Sequence, residues 1–100
     1  MKKIRDWKDI LFDSIMNEEK PLLEKILEAH DNEEILILDG FNMAVIGYDE
    51  QQSKLIYSVT KALQILSQDM TPDEATEYFH YNVSGAYLGE KTPIWCWDNY

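Results

Sequence analysis

The sequence predicts an α+β fold: an antiparallel β-sheet with an αα-hairpin packed on one face and two extra N-terminal helices. Three observations carry this. Residues 70–83 open with a complete helix start, Thr71 at the N-cap, Pro72 at the first helical position and Glu74 closing a capping box. Short β-favouring runs bounded by turn residues recur at 44–48, 54–57 and 94–97. A chain of 100 residues with 45 % apolar side chains has enough material for one modest core. The expected organisation is therefore one domain over 1–100, with 1–34 a helical extension and 35–100 the α+β core.

In chain order, Ile4, Trp7, Leu11 and Ile15 recur at helical spacing and predict a helix over 4–16. Pro21 suits the start of a second helix, with Leu22, Leu23, Ile26 and Leu27 on its apolar face and Glu24 and Glu28 outward. Residues 33–38 are short and Ile/Leu-rich and end at Asp39-Gly40, which predicts a buried strand and a turn. The alternation over 41–48, a polar loop at 49–53 and the run 54–57 predict an antiparallel hairpin. Ser58 caps a helix whose face is Val59, Ala62, Leu63 and Leu66. A short connection leads to the Thr71-capped helix, whose buried face is Ala75, Tyr78, Phe79, Asn82 and Val83, so that 58–83 forms the αα-hairpin. Gly85 is expected to end that helix in a left-handed conformation, and Pro93 to mark the start or edge of a strand over 94–97.

Charge narrows the function classes. The chain carries a net charge of −10, yet residues 1–8 are net +3, from Lys2, Lys3, Arg5 and Lys8 against Asp6. The remainder is −13, a field that disfavours nucleic acid and anionic membrane and favours a basic partner. Solubility is the plainer use of such charge. No apolar run approaches the length of a bilayer span and no uninterrupted apolar signal region follows the first lysines, so the expectation is a cytoplasmic protein. Cys96 is solitary, which excludes an intramolecular disulfide and a thiolate zinc site.

Motifs for chemistry are weak. Glu77 and His80 have the i, i+3 spacing of bundle metal sites, but no second Glu-x-x-His exists, and a solvated helix face explains the pair. Asp39 and Asp49 bracket the first hairpin strand as conceivable acid/base carboxylates, although tight turns select Asp and Gly for themselves. No catalytic, metal or cofactor residue is therefore assigned. Trp95 and Trp97 share one face of the last strand, and serve either as core or as an adhesive patch open to a partner or a second copy.

A spaced set of residues carries a resemblance: Asp39-Gly40-Phe41, Ala44, Gly47, Tyr57, Ile65-Leu66, Met70-Thr71, Glu74-Ala75, Glu77-Tyr78-Phe79, Asn82, Gly85-Ala86-Tyr87, Gly89-Glu90 and Thr92-Pro93-Ile94. Over roughly residues 35–95 it resembles a group of small proteins encoded by phages and prophages. The resemblance brings no assigned activity, and the first 34 residues depart from it. Together with the charge, it implies a non-enzymatic accessory protein that binds, and inhibits, a host defence or nucleic-acid-handling protein with a basic surface. The contact residues on this reading are Glu18, Glu19, Glu24, Glu28, Asp31, Glu33 and Glu34, with Trp95 and Trp97. The alternative is a small-molecule module, in which Phe41, Tyr57, Tyr78, Tyr87 and Trp95 line a pocket for a nucleotide or aromatic metabolite.

Overall fold

The computed structural model describes residues 21–100. The helix expected over 4–16, with Glu18 and Glu19, lies outside the described residues. Helix α1, Leu22–Ala29, follows Pro21, whose ring fixes the φ of −51° from which the first turn is entered. It buries Leu23 and Ile26 and half-buries Leu27, and it packs on the first hairpin strand.

Residues 33–38 depart from expectation. Neither helix, turn nor bend interrupts 34–38 and no φ there is positive, so the chain runs extended, but it joins no strand ladder. Nor is it buried: Ile35, Leu36 and Leu38 are half-covered and Ile37 is exposed. The apolar content that reads as a strand is used to anchor Ile35 and Leu38 on the core. Gly40, at φ +88°, then turns the chain. The strand expected from Phe41 begins later, because Asn42–Ala44 forms a short 3₁₀ turn that buries Ala44.

Strands β1, Val45–Asp49, and β2, Lys54–Ser58, form the expected antiparallel hairpin, with a bulge between Val45 and Gly47. Asp49 shapes its turn, Oδ1 accepting from the Gln51 and Gln52 amides at 2.9 and 3.3 Å. Helix α2, Val59–Leu66, leaves β2 directly, capped by the Ser58 hydroxyl, which accepts from the Lys61 amide at 3.0 Å. Helix α3, Pro72–Tyr78, has both arms of its capping box: Glu74 N–H to Thr71 Oγ1 at 3.1 Å and Thr71 N–H to Glu74 Oε1 at 2.9 Å. A wider π-type turn, Phe79–Val83, continues it. Of the face expected to be buried, Ala75 and Phe79 are buried and Val83 half-buried, whereas Tyr78 is 45 % exposed and Asn82 is exposed. The face narrows because the core is covered at Ala75 of α3 and at Phe79 of the turn that continues it, leaving the next row of side chains outside. Gly85 does not take the left-handed role; Gly89 does, at φ +98°.

The sheet is mixed rather than wholly antiparallel. Strand β3, Ile94–Cys96, pairs parallel to β2, Ile56 opposite Ile94, Tyr57 opposite Trp95 and Ser58 opposite Cys96. Parallel neighbours need a long crossover, and α2 and α3 supply it. The result is a small α+β domain whose three-stranded sheet has β2 at its centre. Leu55, Tyr57, Val59, Ala62 and Phe79 are the inner core, and burial of each large apolar side chain contributes about 1.5–3 kcal/mol.

Candidate functional site

The expected contact acids divide by environment. Glu24, Glu28, Asp31 and Glu34 are exposed on α1 and the segment that follows it. Glu33 is engaged internally: Oε1 accepts from the Tyr48 and Ser53 hydroxyls, the latter at 2.7 Å, and Oε2 lies 3.4 Å from His30 Nδ1. These donors, Tyr48 first, bring the Glu33 carboxyl from its ordinary 4.5 down to about 2. Lost hydration and the same carboxylate push the Tyr48 hydroxyl up. The His30 ring packs against Tyr48 at a tilt of 35°, with ring centroids 4.3 Å apart. The Ser53 hydroxyl donates to the carboxylate rather than to His30, and a carboxylate held at about 2 is a poor base near neutral pH. The cluster fastens the chain after α1 to the hairpin turn.

The aromatic residues expected to line a ligand pocket separate in the same way. Tyr57 is fully buried, and its ring packs on Trp95 with centroids 5.4 Å apart. Trp95 meets Phe79 edge-on at 4.8 Å and Phe41 at 6.1 Å, so it belongs to the core. Trp97 lies beyond β3, is 42 % exposed, stacks on His80 at 5.6 Å and touches Phe79 at 5.8 Å. Tyr87 is exposed. Phe41 and Tyr78 do line an open space, but a different one.

That space is a chain of three adjoining depressions. The middle one, about 690 Å³, lies between residues 36–41, the C-terminal end of α2 and the end of α3, floored by Phe41, Ile65, Leu66 and Val83. It shares Leu36 and Leu88 with a second of about 400 Å³, and Tyr78 and Asn82 with a third of about 480 Å³. Acids line all three: Glu34 and Glu90, Asp39 and Asp69, Glu74 and Glu77. Lys91 is the one base among these lining residues, and its ammonium donates to the Gln52 carbonyl at 3.3 Å. The result is an apolar groove with an acidic rim. Ile37, Tyr78, Tyr81 and Leu88 leave apolar surface exposed along it.

The groove's wall is pinned from within. The Leu38 amide donates to the buried Tyr57 hydroxyl at 2.8 Å, and burial pushes that phenol up. Of the nine residues expected to bind, the groove takes in Glu34; the others stand elsewhere or, for Glu18 and Glu19, outside the described residues. Glu90, Asp39, Asp69, Glu74 and Glu77 escape a reading by local charge because they come from separate segments. Asp39 directly follows the apolar run 35–38, and that adjacency is a sequence signal that points to it. Among the described residues, no group of three or more His, Cys, Asp or Glu is placed to hold a metal ion, and no helix is long and apolar enough to cross a membrane. No protein-family model, curated protein or solved structure matches the chain.

Proposed function

We propose that this is a non-enzymatic phage or prophage accessory protein, acting in the host cytoplasm, which binds and inhibits a host protein through a basic surface of that partner. The observation that carries the reading is the groove, where, among the described residues, six acids and one committed lysine surround an apolar floor. Such a surface attracts a basic partner by long-range field and holds it by apolar burial. A host protein that handles nucleic acid has the complementary charge. The αα-hairpin, with its helices antiparallel, completes the architecture on this reading.

The experiment is capture from host lysate across a salt series, with wild type, a groove variant carrying Glu34→Lys, Asp39→Lys and Glu77→Lys, and a control carrying Glu24→Lys. A basic protein held by wild type and control, but lost by the groove variant and at high salt, is the expected result. Equal capture by all three sinks the reading. The small-molecule alternative has one observation in its favour: the middle depression has the volume of a ligand site and offers the Phe41 and Tyr78 rings. A rise in Tm with a nucleotide or aromatic metabolite, abolished by Leu66→Lys, would favour it.

A further inference from the structure

We propose that the partner segment entering this groove is an extended basic chain that adds as a strand along residues 34–37; this rests on reading the groove as a protein-binding site. Residues 34–37 run extended, and their backbone N–H and C=O groups have no hydrogen-bond partner among the described residues. Both ends of the stretch are held in place. Glu33 is fixed by Tyr48 and Ser53, and the Leu38 amide by the Tyr57 hydroxyl at 2.8 Å. A row of unpaired backbone groups on an extended segment is a template for another strand, and fixing its ends beforehand lowers the ordering cost of binding.

Charge selects the occupant. Glu34 and Glu90 stand at one end of the edge and Asp39 and Asp69 at the other, with Leu36 between them lining two of the depressions. An added strand alternating basic and apolar residues would place its apolar side chains against Leu36 and Leu88 and its cations against these carboxylates. A second copy would bring a net charge of −10 against −10. The chain's own residues 1–8 are net +3, but residues 9–20, with Asp9, Asp13, Glu18 and Glu19 against Lys20, are net −3, so the first twenty residues together bring no net positive charge.

The test uses the full chain labelled with ¹⁵N and, as probe, a capped octapeptide of alternating lysine and valine, whose β-branched residues favour an extended form. A second probe has the same sequence with alternate amides N-methylated. The expected result is that alternate amides within 34–37 exchange at least about tenfold more slowly with the first probe, and that the methylated probe binds about tenfold or more weakly. Glu34→Lys with Glu90→Lys weakens the first probe by a similar factor. Three results overturn strand addition. If the probe shifts Tyr78 and Tyr81 but leaves exchange at 34–37 unchanged, the groove binds basic chains by side chains, and the protein-binding reading survives. If neither probe perturbs the groove, both readings fall. If the amides are already protected without peptide, the occupant is the chain's own N-terminal segment where protection ignores concentration, and a second copy where it grows with it.

Discussion

The Ser58 hydroxyl donates to Asp98 Oδ2 at 2.6 Å while it accepts from the Lys61 amide at 3.0 Å, so one buried oxygen joins the start of α2 to the C-terminal segment. Asp98 completes the joint, its Oδ1 accepting from the Thr60 amide at 2.9 Å and its carbonyl from the Thr60 hydroxyl at 2.8 Å. The parallel register creates this contact. Because β3 runs alongside β2 in the same direction, the chain leaves β3 beside the point where β2 becomes a helix. Removing the hydroxyl orphans both partners. Ser58→Ala is expected to cost about 2 kcal/mol, the sum of a lost cap and a lost hydrogen bond, measured by urea unfolding. Asp98→Ala is expected to lower Tm by roughly 5 °C, and Asp98→Asn by less, since the amide oxygen still accepts.

Acid sensitivity follows from the two tethering carboxylates. Glu33 and Asp98 both titrate in the fold at about 2, against ordinary values of 4.5 and 3.8. The Ser58 hydroxyl is the main cause for Asp98, as Tyr48 is for Glu33. Between those limits the unfolded chain binds more protons than the fold, so stability falls as pH drops from about 4.5 towards 2, and their contribution is complete above that window. Urea unfolding at a series of pH values, followed by tryptophan fluorescence, should show this decline. Glu33→Gln with Asp98→Asn should begin less stable at neutral pH and decline less steeply; an unchanged slope would refute the assignment.

Phe79 is the aromatic hinge of the core. It is 1 % exposed and meets both Trp95 and Trp97 edge-on. Phe79→Ala is expected to cost about 3–5 kcal/mol, through lost burial and the cavity left beside two indoles. In a domain of this size that is a large share of the total stability. The tryptophan emission of the folded variant should also shift to longer wavelength, since both rings gain water. A variant that unfolds at the wild-type midpoint would show that the ring cluster adds little.

Local features were legible in the sequence, and long-range ones were not. The caps at Ser58 and Thr71 need a partner three residues away, so composition and spacing sufficed to place α2 and α3. The hairpin was legible for a similar reason, its strands being separated by a short polar turn. The direction of β3 depends on a crossover that periodicity does not encode. Residues 33–38 have strand composition, yet lack a neighbouring edge, and tertiary anchoring of Ile35 and Leu38 decided their fate. Glu33 read as a surface acid because its partners Tyr48 and Ser53 lie 15 and 20 positions away. The groove was hidden because four separate stretches, 34–41, 65–70, 74–83 and 86–91, build it.

The glycines give a test in which geometry and composition disagree. Gly85 follows Ser84 at the end of a helical run, where sequence alone would reserve it for a left-handed turn. Its φ lies outside the left-handed region, and a Cβ there would meet the His80 carbonyl oxygen at 3.6 Å, ordinary contact. Gly89, at φ +98°, has open space around the same added atom, so its obstacle is backbone strain rather than collision. Gly85→Ala is therefore expected to be neutral or to stabilise by about 0.5 kcal/mol, by restricting the unfolded chain. Gly89→Ala is expected to destabilise by about 1 kcal/mol or more, and to loosen the turn in which the Thr92 hydroxyl donates to the Gly89 carbonyl and accepts from the Leu88 amide. Leu88 forms part of the groove, so slower exchange of its amide in wild type than in Gly89→Ala would tie that turn to the binding surface. Equal thermal midpoints for the two alanine variants would show that the backbone at Gly89 relaxes without cost.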